Sequence, residues 1–190
     1  MQIHIILRAK CCTVVDMMVM INCSGMTQGM TGRDAPLPIC TFAGHSLVCA
    51  PYIEQRLENE IEAFLSDIDK ASFYVGGRGE FDGMAAAAVR AAKARHRDKK
   101  IQLYLIEPYF HAGINRDKEF YEQMYDGIII LQELLGVHPK AAILKCNRWM
   151  CDQADCLIAF VCRDFGGAYQ TLKYAKRKGG IRIINLAANK

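Results

Sequence analysis

The fold of this chain is decided by the stretch Phe73-Tyr-Val-Gly-Gly-Arg-Gly-Glu-Phe-Asp82. It begins with residues that favour a strand, breaks at three closely spaced glycines, and leads into Met84–Lys93, a run of strong helix formers. A strand, a glycine turn and a helix in this order place free backbone N–H groups and the positive end of a helix dipole at one point. The stretch therefore predicts a βα unit whose turn can bind a phosphate, although a tight turn without a ligand has the same pattern.

Length and composition indicate one ordinary globular domain. The chain has 190 residues, of which 52% are hydrophobic and 23% are charged, and this is enough to bury one sizeable core. Its net charge of +4 is lower than a dedicated nucleic-acid binder usually carries. We therefore expect neither nucleic acid nor a membrane as a partner, and we leave the formation of a homo-oligomer open.

The cysteines suggest reduced thiols rather than a metal site or a disulfide framework. The chain has nine cysteines but no CxxC pair. Cys146 and Cys151 lie five residues apart on a predicted helix, which separates them by more than about 90° around the helix axis. We therefore expect a cytoplasmic protein with no metal and no other cofactor.

The first 38 residues differ from the rest of the chain. Ile3–Leu7 has the composition of a short strand, but Asp16 interrupts the apolar run that follows it, so a membrane span or a signal peptide is not expected. Residues 22–38 have the composition of a linker. We predict that residues 1–38 are a poorly structured extension, with a native start later than Met1 left open, and that residues 39–190 form a single domain.

Within that domain, short apolar runs alternate with helical patterns. The runs predict about six strands, and their continuous apolar character is typical of a parallel sheet that is covered on both faces. The predicted fold is an α/β, Rossmann-like, doubly wound, mostly parallel sheet with helices on both faces. The predicted strands are 39–45, 72–75, 101–106, 127–131, 156–161 and 181–186, and the predicted helices are 51–68, 80–97, 118–124, 139–154 and 168–178.

Three turns follow predicted strands and should meet at one edge of the sheet. They are 43–46, 76–80 and 164–168, and the last two open helices with glycine. In an open parallel sheet such turns lie at the carboxyl edge, where ligands bind at the switch in strand order. The spacing differs from the GxGxxG fingerprint of dinucleotide binders, so a single nucleotide or a nucleotide-derived molecule is the more economical ligand.

The same motifs carry a family resemblance. Thr41-Phe-Ala-Gly-His45, the glycine turn 76–82 and the segments 143–152 and 155–168 resemble, in content and order, the YpsA-like branch of the SLOG superfamily. That superfamily joins the DNA-processing protein DprA with the LOG phosphoribohydrolases. The resemblance runs from about Ile39 to Leu186. It implies a Rossmann-like fold that binds nucleotides or nucleotide-derived molecules, often as a sensor rather than an enzyme.

The sequence departs from the LOG pattern in ways that favour binding over catalysis. LOG enzymes carry Pro-Gly-Gly-x-Gly-Thr-x-x-Glu, whereas this chain has Val75 in place of the proline and Glu80 in place of the threonine. Asp82 is acidic near the position of the family's glutamate, but it lies one position early. Ser46 stands where this branch often has an arginine.

These patterns give a set of candidate site residues and three candidate functions. The leading function is nucleotide-ligand binding by a sensor or regulatory protein. The alternative is an N-glycosidic hydrolase in which Glu80 or Asp82 stabilises an oxocarbenium-like centre or activates water, with His45 assisting proton transfer. DNA processing is a third, less favoured function, and whether the protein is an enzyme is left open. The predicted ligand-binding residues are Gly44, His45, Gly76, Gly77, Arg78, Gly79, Glu80, Asp82, Asn147, Arg148, Gly166 and Gly167.

Overall fold

The computed structural model describes residues 4–8, 37–48 and 50–187, with only the backbone path of the first segment. Its centre is one sheet of seven strands. Each apolar run that the sequence assigned to the domain forms a strand, and His4–Arg8 adds a seventh. The strands are β1 (His4–Arg8), β2 (Ile39–Gly44), β3 (Lys70–Val75), β4 (Lys100–Glu107), β5 (Gly127–Leu131), β6 (Cys156–Phe160) and β7 (Arg182–Asn185).

The strand order is β1-β5-β4-β3-β2-β6-β7, and every pair of neighbours is parallel. From β2 the chain adds β3, β4 and β5 in one direction. It then crosses back to place β6 on the other side of β2. The switch point therefore lies between β2 and β6, where a doubly wound sheet opens a crevice outside the carboxyl ends of its strands.

Helices cover both faces of the sheet. The pair α1 (Ile53–Leu65) and α2 (Glu80–Arg95) contributes to the core on one face, and the pair α5 (Pro139–Gln153) and α6 (Gly166–Lys178) covers the other. Two short helices, α3 (Ala112–Arg116) and α4 (Lys118–Met124), lie between β4 and β5. The predicted Rossmann-like, doubly wound α/β fold is confirmed.

Alternation along the strands divides the core into layers. On β6, Cys156 and Ile158 pack on the side of α1 and α2, whereas Leu157 and Ala159 pack on the side of α6. Both sets are buried, since side chains of a strand alternate between faces and helices cover both. This is why the strands read as continuous apolar runs in the sequence.

The amino-terminal segment contributes an edge strand. His4–Arg8 pairs in register with Gly127–Leu131 of β5. Residues 9–36 lie outside the described part of the chain, so the expectation of a poorly structured extension stays a prediction for them. None of the helices in the described ranges combines the length and the hydropathy that a membrane span requires.

Candidate functional site

His45 joins the two strands that flank the switch point. Its backbone N–H donates to the Phe160 carbonyl at 3.3 Å, and its Nε2 accepts a hydrogen bond from the Cys162 N–H at 3.2 Å. Burial and the nearby charge of Arg163 lower the pKa of the imidazole. A neutral ring that accepts at Nε2 carries its proton on Nδ1. His45 is therefore held as a neutral bridge between β2 and β6.

The glycine turn after β3 needs its glycines for its own geometry. Gly77 and Gly79 have φ values of +63° and +108°, a region that favours glycine. A Cβ on Gly77 would lie 2.7 Å from Leu105 Cδ1, and a Cβ on Gly79 would lie 2.8 Å from the Ser46 Cα. Backbone shape and close packing thus account for these two glycines without any ligand.

The two acids at the start of α2 bind backbone N–H groups of the loops around them. Glu80 Oε2 accepts from the Val48 N–H at 2.7 Å, and the Glu80 N–H donates to the Ser46 carbonyl at 3.1 Å. Asp82 Oδ2 accepts from the Arg78 N–H at 2.9 Å. Burial raises the pKa of Asp82 to about 6, although this hydrogen bond and the charge of Arg78 oppose the shift. Both carboxyl groups therefore help to fix the turns.

Arg78 is paired with a buried acid that the sequence did not single out. Its Nη2 lies 2.5 Å from Glu107 Oε2, and its Nη1 donates to the Gly76 carbonyl at 3.1 Å. Glu107, at the end of β4, is buried, and His111 Nε2 lies 3.8 Å from its other carboxylate oxygen. The sequence signal for Glu107 was a lone charge at the end of an apolar strand, directly before Pro108.

The glycine turn before α6 is more open. Gly166 has a φ of +89°, and a Cβ on Gly166 or Gly167 would have no atom of the described residues within 4 Å, apart from its chain neighbours and the backbone of its own helix. In the same described part of the chain, the side chain of the N-cap residue Phe165 makes no hydrogen bond to α6, and the first turn of this helix contains no acid. Thr171 Oγ1 donates to the Gly167 carbonyl at 2.9 Å. This helix N-terminus thus combines space, an uncapped first turn and the positive end of a helix dipole.

The candidates on α5 separate into two places. A Cβ on Gly76 would lie 3.3 Å from Asp82 Oδ2 and 3.8 Å from Asn147 Oδ1, so these three residues form one cluster. Asn147 Nδ2 also lies 3.4 Å from Thr171 Oγ1, which links this cluster to α6. Arg148 instead lies against Tyr174, with its guanidinium carbon 5.4 Å from the ring centroid. The structure therefore brings Asn147, but not Arg148, beside the glycine turn of β3.

Gly44 has a packing role. A Cβ at this position would lie 2.3 Å from the ring of Phe81, which is buried. Phe81 also stacks on Phe160 of β6, with ring centroids 5.9 Å apart. Gly44 thus lets the first turn of α2 approach the end of β2.

Exposed apolar side chains follow the carboxyl ends of three strands. Leu47 lies beyond β2, Phe110 beyond β4 and Phe165 beyond β6, with exposed fractions of 68%, 46% and 64%. Aromatic rings at such a position offer flat surfaces for a base. Among the described residues, no group of three or more His, Cys, Asp or Glu side chains could hold a metal ion.

Together these features define an open α/β protein with a candidate ligand cleft at the switch point of its sheet. Its fold is similar to that of two solved DNA-processing proteins. The structure of DNA processing protein A (DprA) from Streptococcus pneumoniae matches with a TM-score of 0.54 at 13% identity. DprA from Helicobacter pylori, whose structure concerns its binding of single-stranded DNA, matches with a TM-score of 0.51 at 18% identity.

These matches cover most of this chain but only part of its neighbours. They include 77% and 75% of this chain, and 49% and 61% of the two DprA chains. At such identities the similarity shows a shared fold. The resemblance to the SLOG superfamily and to its YpsA-like branch stays a prediction. No family model and no curated protein matches the sequence.

The comparison corrects one expectation. We did not expect nucleic acid as a partner, because the net charge is only +4. The neighbours overturn this expectation, since proteins that process DNA and bind single-stranded DNA have the same fold. Net charge averages over the molecule, whereas a nucleic-acid strand responds to the local potential along its path, so a modest net charge does not exclude such a partner.

Proposed function

We propose that the cleft between the carboxyl ends of β2, β3 and β6 binds a nucleotide or a nucleotide-derived molecule, and that the protein acts as a sensor or regulatory protein of the YpsA-like kind. The observation that carries this proposal is the first turn of α6, which opens uncapped and unobstructed at Gly166 and Gly167 beside the switch point. A phosphate group at this turn accepts hydrogen bonds from backbone N–H groups and interacts favourably with the helix dipole.

The first turn of α2 is a poorer place for the phosphate. It contains Glu80 and Asp82, whose negative charges would repel an anion. The N–H groups of Arg78 and Glu80 already have acceptors in Asp82 and Ser46. The glycine turn after β3 therefore forms a wall of the proposed cleft. The carboxylates of Glu80 and Asp82 can accept hydrogen bonds from the hydroxyl groups of a ribose.

The neighbouring side chains suit the remaining parts of a nucleotide. Asn147 offers an amide beside Gly76 and Asp82, where it can bind a ribose hydroxyl or a base edge. Phe165, directly before α6, offers an exposed ring on which a base can stack. A phosphate at Gly166 and Gly167 would place a nucleoside within reach of both.

The position of the acids favours binding over hydrolysis. Catalysis at an N-glycosidic bond needs a carboxyl group that faces the substrate and is free to change its charge. Here Glu80 holds the Val48 N–H and Asp82 holds the Arg78 N–H. The hydrolase alternative requires one of these carboxyl groups to leave its backbone partner. We therefore rank hydrolysis of a nucleotide below simple binding of a nucleotide.

Binding of single-stranded DNA is a second candidate, and the shared fold with DprA favours it. The phosphate site at α6 serves this function equally well, since each unit of a strand is a nucleotide. The two candidates differ in the size of the ligand and in the salt dependence of binding. A strand contacts several phosphates and binds with a steep dependence on salt, whereas a mononucleotide does not.

The test is a comparison of thermal stabilisation by nucleoside monophosphates and by the matching nucleosides. At a ligand concentration about 100 times Kd, a monophosphate should stabilise the protein by about 2.7 kcal/mol, which raises Tm by roughly 5–10 °C. Gly167→Val should abolish this shift, because its side chain would enter the proposed phosphate site.

Gly83→Val is the matched control. Gly83 lies on an exposed part of α2, and a Cβ there would also meet nothing within 4 Å. It should respond to the monophosphate as the parent does. An unchanged shift in Gly167→Val would place the phosphate elsewhere and refute the proposal. Free base released by the parent, detected by chromatography, would replace the sensor with the hydrolase.

A further inference from the structure

A cationic concavity lies on the outer side of α5 and α6, away from the cleft residues described above. It encloses about 210 Å³. Its α6 residues follow one another at intervals of three, one and three positions, so they share one face of the helix. The lining residues are Arg148, Gln170, Lys173, Tyr174 and Arg177.

Within the described residues, no ion pair joins Arg148, Lys173 or Arg177 to an acid. The nearby Asp152 accepts a hydrogen bond from the Tyr174 hydroxyl at 2.8 Å and lies 3.9 Å from Lys178 Nζ. The guanidinium carbons of Arg148 and Arg177 lie 5.4 Å and 6.0 Å from the centre of the Tyr174 ring. Two cationic side chains therefore lie against one aromatic ring, and Lys173 lines the same concavity.

Arg148 also has an unused donor. Its Nε is buried and finds no hydrogen-bond acceptor within the described residues. Buried guanidinium nitrogens usually have an acceptor, because an unsatisfied buried donor costs about 1–3 kcal/mol. That nitrogen is closed to solvent, so an anion in the concavity contacts the part of the Arg148 guanidinium that lines it, and arginine binds phosphate oxygens with geometric precision.

We propose that this concavity binds the backbone phosphates of a single-stranded nucleic acid, with Lys173 and Arg177 each contacting one phosphate. The inference rests on the second candidate function. The concavity and the cleft are joined by one helix, because α6 begins at Gly166 beside the switch point and carries Gln170, Lys173 and Arg177 along its length. From Gly166 to Arg177 the helix rises by roughly 16 Å, so a strand with one phosphate at the first turn can follow this face.

The occupant is the sugar–phosphate backbone rather than a base. The Tyr174 ring already lies against two guanidinium groups, so it is a poor platform for base stacking. Lys173 and Arg177 are exposed cations of the kind that neutralise phosphates without reading sequence. We therefore expect binding here to depend on salt and not on base sequence.

The experiment measures the affinity of a labelled oligothymidylate by fluorescence anisotropy across a series of salt concentrations. The variant Lys173→Gln/Arg177→Gln removes two cations from the concavity. The control Lys70→Gln/Lys100→Gln removes the same charge from exposed positions at the amino ends of β3 and β4. Each lost phosphate contact makes the slope of log K against log salt less steep by about 0.7, so the double variant should differ from the parent by about 1.4.

The difference in salt slope corresponds to a measurable difference in affinity. Between about 50 and 200 mM salt the parent should lose roughly 7-fold more affinity than the double variant, and the control should behave as the parent does. Stabilisation by a nucleoside monophosphate should stay unchanged in the double variant, which distinguishes the concavity from the cleft.

Three results would overturn the inference. The first is a parent protein that does not bind the oligonucleotide, and the second is a double variant that keeps the salt slope of the control. The third is competition by polyglutamate of equal charge as strong as that of the oligonucleotide, which would identify the surface as a site for an acidic polypeptide. Loss of the mononucleotide response with normal oligonucleotide binding would instead refute the cleft and leave the concavity in place.

Discussion

Asp82 has a carboxyl pKa of about 6 because burial disfavours its charged form. Its ordinary pKa is 3.8, so between pH 4 and 6 the folded protein holds this proton more tightly than the unfolded chain does. The stabilising contribution of the protonated carboxyl is therefore present below about pH 4 and is lost as the pH rises through 6. The loss is at most about 3 kcal/mol.

The variant Asp82→Asn tests this assignment. The asparagine amide does not titrate, and its oxygen can still accept the Arg78 N–H. We expect the free energy of unfolding of the parent to fall relative to that of the variant as the pH rises from 4 to 6. Urea denaturation at several pH values measures this difference. The contributions of the other carboxyl groups to the pH dependence cancel, because both proteins contain them. A constant difference across this range would show that Asp82 has an ordinary pKa in the folded protein.

At the scale of elements, the contact between β2 and α2 depends on the absence of a side chain at Gly44. A Cβ there would lie 2.3 Å from the Phe81 ring, closer than carbon atoms approach one another. Because Phe81 is packed against Phe160, it has little room to retreat. We expect Gly44→Ala to lower the free energy of unfolding by about 1–3 kcal/mol, as overpacked core substitutions do.

Gly83→Ala is the matched comparison within the same βα unit. This glycine is on an exposed turn of α2, where a Cβ would have no atom of the described residues within 4 Å beyond its chain neighbours and its own helix backbone. Alanine should stabilise the helix by about 0.5–1 kcal/mol, so the two substitutions should shift the denaturation midpoint in opposite directions. If Gly44→Ala is as stable as the parent, the α2 N-terminus is free to move away from β2, and the cleft wall is less rigid than the structure indicates.

At the scale of the whole molecule, the sheet consists of six strands from residues 39–185 and one edge strand from the amino-terminal segment. The three apolar clusters draw on residues 39–187. We expect a chain that begins at Leu37 to unfold in a single cooperative transition and to keep its response to nucleoside monophosphates. Its midpoint should be lower, because β5 loses the five-residue ladder with His4–Arg8 and becomes an exposed edge.

Urea denaturation followed by two probes tests this expectation. Circular dichroism and the fluorescence of Trp149, which stacks on Tyr74 on the α5 side of the sheet, should give the same midpoint. Separate midpoints, or an insoluble product, would show that the amino-terminal segment is required for the domain to form. In that case the predicted domain boundary at residue 38 is wrong.

The sequence by itself determined the layered architecture of this protein, a parallel sheet with helices on both faces. Continuous apolar runs such as 127–131 and 156–160 can be buried only if both faces of a parallel sheet are covered, so the doubly wound fold follows from local composition. The two glycine turns were also visible, because a positive φ leaves a glycine signature in the chain. Parallel strands then place both turns at one edge, whichever order the strands take.

Only the tertiary structure decided which groups in those turns remain free. Glu80 and Asp82 look like catalytic acids in the sequence, but they accept backbone N–H groups from residues 48 and 78. Arg78 looks like a phosphate ligand, but it is paired with Glu107, 29 positions away. Such pairings depend on how separate loops pack at the edge of the sheet, and no local pattern records them. The same packing leaves Gly166 and Gly167 open, and it places Arg148 on the outer face with Tyr174.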